Sequence, residues 1–327
     1  MNEKQAIGAM YQQNWVAYNN AQTKEIRLFD ELLRDLVQNV QESEQVFGRP
    51  RLSLRETIFC AVQKVYSQLS SRRAHSLYTN AVEREQIGKA PHFNAVSKLL
   101  NKEELTPILH ELISITARPL SSVETDFAVD SSGFRTRCFG QYAEQKYALK
   151  RQHEWLKAHI VCGVKTNTVV AVKVTGINGA DSPQFRELIE ATAKDFAIKE
   201  VSADKAYSSK DNLRAVSEAG ATPYIPFKSN TTGKARGSLL WKKTYHYFQF
   251  NKEEFYEHYH KRSNVESVFS AIKKKFGDTL KSKNRTAQEN ELLCKILAYN
   301  ITVLIQEMEE LGISLQFSAS EFLSTYI

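Results

Sequence analysis

A chain of 327 residues, 42% hydrophobic and 25% charged, is too apolar for a disordered tail and long enough for two domains or one large domain with additions. Its formal net charge of +7 and pI of about 9.0 suit a polyanionic partner, although many proteins this basic bind none. Cys60, Cys138, Cys162 and Cys294 are scattered without metal-ligand spacing, and the amino terminus MNEKQAIGAMYQQ has no signal-peptide core. With no apolar run near the roughly 18 residues of a membrane span, the expectation is a cytoplasmic protein with reduced thiols and no membrane partner.

Residues 1–120 read as helices. Ile26, Phe29, Leu32, Leu33, Leu36, Val37 and Val40 recur at helical spacing. Ser53 and Glu56 form a capping-box pattern ahead of Ile58, Phe59, Val62, Val65, Tyr66 and Leu69. Between Arg72 and Leu100 the stretch IGKAPHF, with Gly88 and Pro91, breaks one helix, and a short one follows from Asn94. This fits a helix-turn-helix whose second helix carries Asn94, Ser97 and Lys98 outward, side chains suited to base edges and phosphates. It fits equally an ordinary hairpin of an α-bundle. A last helix runs from about Glu103 to Thr116 and is stopped by Pro119.

The texture then changes. Phe127, Ala128 and Val129 lead into Asp130, with Ser131, Ser132 and Gly133 following as turn residues, so Asp130 is expected to close a buried strand. HIVCGVKTNTVVAVKVTG holds two β-branched runs around Thr166 and Asn167, a hairpin by composition. Ser182 and Pro183 open a helix to about Phe196, EVSAD ends a short strand at Asp204, and a helix from about Ser209 to Ala219 precedes PYIPF. Open sheets place their sites at the carboxyl ends of strands, which singles out Asp130 and Asp204. Taken singly, each is more simply a turn former or helix cap.

The stretch SNTTGKARGSLLWKKTYHYF, with Gly233 and Gly237, reads as a flexible insertion over about 228–250 ahead of a short strand, with Trp241 and Tyr245 favoured as packing residues over DNA contacts. YHKRSNVESVFSAIKKKFG then predicts one amphipathic helix. Tyr259, Arg262, Glu266 and Lys273, at spacings of three, four and seven, fall on one stripe. That stripe borders the apolar face of Val265, Val268, Phe269, Ile272 and Phe276, which puts Glu266 at a core edge. A carboxylate with a guanidinium one turn before it and an ammonium two turns after suits metal and phosphate handling. The plainer reading is a solvated, salt-bridged helix face.

These four residues, with AVDSSGF around Asp130 and ADKAY running into SSKDNLRAVSEAGATPYIPFK around Asp204, resemble the DDE transposases of bacterial insertion sequences, in the group marked by Tyr, Arg, Glu and Lys around the third acid. The resemblance spans roughly residues 125–305, and Ala206 stands where glycine is frequent in the family. It implies an α/β (mixed α+β) fold over 121–310, a ribonuclease-H-like five-stranded mixed sheet flanked by helices. A helical N-terminal domain over 1–120, expected to bind DNA ends, precedes it, and a tail over 311–327 follows.

The resemblance further implies that Asp130, Asp204 and Glu266 are catalytic and hold two Mg²⁺ ions, with Mn²⁺ substituting, and that Tyr259, Arg262 and Lys273 contact DNA. Two divalent cations about 3.5–4 Å apart activate a nucleophile and stabilise the leaving oxygen of a phosphodiester, and they require hard oxygen ligands. Water cuts first, and the freed 3′ hydroxyl then attacks a second DNA. The implied partners are double-stranded DNA, as terminal inverted repeats and as target, and a second copy of the chain in a synaptic complex, nucleoid-associated when bound. A related site-specific nuclease or integrase, or a DNA-binding derivative that no longer cuts, remains the alternative.

Overall fold

A computed structural model of the protein describes residues 14–42, 47, 51–136, 155–233, 237–312 and 315–317. Cys138, the middle of the insertion and the tail past residue 317 lie outside the described residues. The front end comprises α1 (Trp15–Leu36), α2 (Leu54–Tyr66), α3 (Ser71–Glu83), α4 (Phe93–Leu100) and α5 (Leu105–Ala117). Side chains satisfy the free N–H groups of their first turns: Asn14 Oδ1 accepts from Ala17 N at 3.1 Å, and Ser53 Oγ from Glu56 N at 3.2 Å. The capping box at Ser53 forms by half. Glu56 turns away to accept from Gly88 N at 2.8 Å, and Glu42 accepts instead from Ser53 Oγ and Leu54 N.

In the α3–α4 pair, Asn94 and Lys98 are exposed as expected, but Ser97 is not turned outward. It is half-buried, donating to Phe93 O at 3.2 Å and lying 3.4 Å from Ser71 Oγ.

The sheet has the order β3-β2-β1-β4-β5, from β1 (Asp126–Arg135), β2 (Trp155–Gly163), β3 (Val169–Gly176), β4 (Glu200–Ala203) and β5 (Thr222–Tyr224). β1, β2 and β3 form an antiparallel meander, and β4 and β5 add in parallel beyond β1. Helices α6 (Ser182–Asp195), α7 (Lys210–Glu218), α8 (Leu239–Phe250), α9 (Lys252–Tyr259), α10 (Ser263–Phe276) and α11 (Arg285–Leu311) complete the described chain.

Alternation along the strands divides the core. Ala128 and Phe134 of β1 and Ala158 and Ile160 of β2 join the cluster covered by the front helices, α10 and α11. Phe127, Val129, Val161 and Val201 join the cluster covered by α6, α7, α8 and α9.

The helix α11 is the spine of the first layer. Leu292, Leu293, Cys294, Ile296, Leu297, Ala298 and Ile301 are buried around its whole circumference, the pattern of a helix enclosed on all sides. It ends at Gly312, whose φ of 64° is the left-handed conformation that glycine adopts freely. Phe59 of α2 and Leu109 of α5 share one cluster with Ile296 and with the strand residues Ala128 and Ile160. Residue 120 therefore marks a change of element type within a shared core.

Asn300, fully buried on α11, ties three elements together. Its Oδ1 accepts from Val169 N at 2.9 Å, and its Nδ2 donates to Val169 O at 2.7 Å and Thr116 Oγ1 at 3.0 Å. Substituting leucine leaves backbone groups of β3 buried without partners. Asn300→Leu is expected to lower the unfolding free energy by about 3 kcal/mol, read from urea denaturation. A loss within about 0.5 kcal/mol would show that the bonds contribute nothing net.

Candidate active site

In the parallel ladder Val129 pairs with Ala203. The next residues on the two strands, Asp130 and Asp204, therefore leave that ladder side by side, on chains spaced about 4.8 Å apart. β1 does not close at Asp130 as the sequence suggested. Ser131 pairs with His159 and the antiparallel ladder runs on to Arg135 opposite Trp155, because β2 satisfies the backbone that the Ser-Ser-Gly composition assigns to a turn. What ends at Asp130 is the pairing on the β4 side, and this opens the sheet edge where both carboxylates stand. The same alternation sets Asp126, Asp130 and Ser132 on one face.

The expected single helix from Tyr259 to Lys273 is interrupted. α9 ends at Tyr259, a 3₁₀ turn spans His260–Arg262, and α10 begins at Ser263. The tighter turn changes the phase of the stripe. Glu266, on α10, is not at a core edge: its side chain is 61% exposed, while that of Asp130 is 23% exposed.

Arg262 reaches both acids, placing Nη1 2.5 Å from Asp130 Oδ2 and donating from Nη2 to Glu266 Oε1. Its guanidinium carbon also lies 6.0 Å from the ring of half-buried Tyr259. Lys273 Nζ donates to Ser132 Oγ at 2.6 Å and sits 5.1 Å from the Phe134 ring, so it is held on β1 two residues past Asp130. Burial holds its pKa below the ordinary lysine range, against the pull of Asp278.

Burial pushes the Asp130 carboxyl above the usual carboxylate range, and the charges of Asp204 and Glu266 add to the shift; the Ser131 N–H and Arg262 oppose it. Burial also raises the Tyr259 phenol, with Arg262 opposing the shift and Asp204 adding to it. Asp130 and Glu266 share one guanidinium, with Asp204 acting on Asp130 from the neighbouring strand end, and hard-oxygen carboxylates of this kind are the donors a divalent cation takes. The ligand sphere is not preassembled. Among the described residues no trio of His, Cys, Asp or Glu stands gathered to hold a metal, and Arg262 lies between Asp130 and Glu266. By chemistry the acids fit a divalent cation, and by position Arg262 bridges two of them.

Sequence reasoning passed over Lys261. Its Nζ donates to Asp126 Oδ2 and to Glu200 Oε2, each at 2.7 Å. Glu200 Oε2 also lies 2.8 Å from His258 Nδ1, whose ring stacks on Tyr224 at 4.4 Å. Asp126 and Glu200 are register partners, so the 3₁₀ turn is bolted to the starts of β1 and β4 by one cation while the next reaches Asp130. The signal was in the sequence: DFAVD puts Asp126 on the face of Asp130, and Lys261 adjoins Arg262. Reading only helical spacings skipped it.

On the opposite face, Asp181 accepts from Ser131 Oγ at 2.8 Å, pairs with Lys157 Nζ at 2.5 Å and lies 3.2 Å from His159 Nδ1. His159 is fully buried, and burial lowers its pKa from 6.5 to about 4 although Asp181 pulls it up. The folded state keeps this imidazole neutral, whereas the unfolded chain protonates it below about 6.5. Stability from this group is thus present above pH 6.5 and lost as pH falls to about 4, reaching roughly 3 kcal/mol at the low end. Urea unfolding of His159→Gln is expected to lack that part of the acid loss. Identical pH slopes for both proteins would rule His159 out as its source.

Comparison with known proteins adds the family. Residues 121–301 match the family described as the transposase DDE domain. Among solved structures, the chain is similar to the piggyBac transposase of a synaptic complex with hairpin DNA. The identity is 11% and the TM-score 0.41, with 94% of this chain and 78% of that chain covered, a likeness too distant to carry detail. The family match spans more than half of the chain and takes in Asp130, Asp204, Arg262, Glu266 and Lys273, and the protein accordingly belongs to the DDE transposase family.

Proposed function

We propose that this transposase cleaves phosphodiester bonds at the ends of its own element and transfers the 3′ hydroxyl into target DNA, with Asp130, Asp204 and Glu266 holding two Mg²⁺ ions, for which Mn²⁺ substitutes. The observation that carries the reading is the Val129–Ala203 register, which makes neighbours of two acids far apart in sequence, with Arg262 linking the first of them to Glu266. Divalent cations bound to these carboxylates supply charge neutralisation at the phosphate and activation of the attacking oxygen.

The chain's own residues supply the rest. Asp130 is fixed by its strand and by the Ser131 N–H at 2.8 Å, so one carboxylate oxygen keeps its orientation. Glu266, largely exposed, is free to approach once a phosphate or cation arrives. Arg262 offers a two-pronged donor to phosphate oxygens, Lys273 offers a point charge beside Ser132, and Tyr259 offers a ring and a hydroxyl.

In the same reading, double-stranded DNA is the substrate, residues 1–120 contribute most of the end recognition, and two copies act together when two ends are paired in the nucleoid. Because the front helices share their core with the sheet, this division of labour is tested in the full chain. Alanine at exposed Asn94 and Lys98 should weaken discrimination between end DNA and random DNA and leave the fold intact.

The functional test is a nicking and joining assay on DNA carrying the inverted repeats that bracket the reading frame. A transposase nicks in Mg²⁺ and then joins the 3′ end to a second DNA. Nicking without joining would favour a site-specific nuclease, and binding without nicking a derivative that no longer cuts.

A further inference from the structure

We infer that Arg262 is a resident counter-cation of the metal-free site: it holds Asp130 and Glu266 together until a divalent cation binds, and is then released toward a DNA phosphate. The inference rests on the reading of the three acids as the metal site.

One guanidinium bonds two carboxylates through two different nitrogens, and a third acid acts on the first. Without that guanidinium the acids would repel one another across a partly buried edge. A cation ligated by Asp130 Oδ2 would crowd the guanidinium held at that same oxygen, and the two positive charges, about one contact distance apart, repel each other. The partners also differ in freedom. Asp130 is held by β1 and half-covered, while Glu266 is mostly exposed, so the guanidinium can let go of Glu266 at little cost in packing.

The turn is anchored independently of Arg262. Lys261 bonds Asp126 and Glu200, and Asn264 Nδ2 donates to Val164 O at 2.6 Å. With the backbone fixed on both sides, departure of the Arg262 side chain need not unfold the turn. A guanidinium released there carries its fork at the rim of the site, where a phosphate oxygen is the matching acceptor. Binding of metal and of DNA phosphate are then mutually favourable, because each removes the competitor of the other.

The test is calorimetric binding of Mn²⁺ to the full chain, without DNA, for the parent, Arg262→Gln, Arg262→Lys and Asp130→Asn. The inference expects Arg262→Gln to bind Mn²⁺ at least about fivefold tighter than the parent, and Arg262→Lys to fall between them. Equal or weaker binding by a folded Arg262→Gln overturns it. A measurement on the parent protein avoids dependence on the folding of a variant: the Nε–H resonance of Arg262 should move with Mg²⁺ along a saturable curve. An unmoved resonance at saturating Mg²⁺ overturns the inference. Asp130→Asn separates the two layers. If it binds Mn²⁺ as the parent does, the metal-site reading itself fails; if it loses binding while Arg262→Gln gains none, only the counter-cation role fails.

Discussion

Asp130→Asn, Asp204→Asn and Glu266→Gln should each reduce metal-dependent DNA cleavage at least about a thousandfold, a loss of roughly 4 kcal/mol in transition-state stabilisation. Each substitution keeps the shape of its side chain and removes one anionic oxygen. Binding to DNA ends should remain within a few-fold, because phosphate contacts come from cations elsewhere. Folding provides an internal check. Burial raises the Asp130 carboxyl, so its ionised form costs stability above the ordinary carboxylate pKa of 3.8. Asp130→Asn should therefore be at least as stable as the parent at neutral pH without metal, and any gain should vanish on acidification as the parent's carboxyl takes its proton. Lost activity with retained or improved stability is the signature of a functional acid. A variant that nicks near the parental rate in Mg²⁺ would remove that residue from the ligand set.

Removing either cation of the third-acid region is the second large effect. Arg262→Ala and Lys273→Ala should lower cleavage or joining at least tenfold, since a shift of about 1 Å in a positioned phosphate costs as much as a hundredfold in rate. On a purely solvated helix face the same changes would alter stability by a few tenths of a kcal/mol and leave activity alone. The two residues differ in kind. Lys273 is tethered on β1 through Ser132 and lies against Phe134, so its alanine variant loses a fixed point charge next to Asp130. Arg262 is the fork between two acids, and Arg262→Lys should recover only part of the activity because an ammonium lacks the planar two-pronged donor that matches a phosphate. Unchanged joining rates in folded alanine variants would return this stretch to an ordinary surface.

Much of the architecture was legible because it rests on local chemistry. The β-branched runs around Thr166 and Asn167 and the short strand ending in Asp204 became β2, β3 and β4, since burial on both faces needs those residue types. Spacing singled out Tyr259, Arg262, Glu266 and Lys273 on the assumption of one helix, and only Glu266 and Lys273 share α10. The errors came where non-local partners decide. Ser131 to Gly133 became strand because β2 was present to pair with them. The insertion read as flexible over about 228–250 holds the helix α8, and α9 follows where a short strand was expected. Ser238 caps the first turn of α8 by accepting from Trp241 N at 3.1 Å, and Trp241 and Tyr245, four apart, both pack on Phe227, at 4.9 and 5.3 Å. Those two did prove to be packing residues. The break between Tyr259 and Ser263 is a 3₁₀ turn that no periodicity announces, because Lys261 and its two acid partners hold it from elsewhere in the chain.

The central claim is that Asp130, Asp204 and Glu266 form one divalent-cation site for DNA strand chemistry. Anomalous diffraction from crystals of the full chain grown with Mn²⁺ tests it most directly. The account predicts manganese peaks bounded by these three carboxylates, with the Arg262 guanidinium moved off Asp130. Manganese bound elsewhere, or none at saturating concentration while Arg262 stays between Asp130 and Glu266, would contradict it.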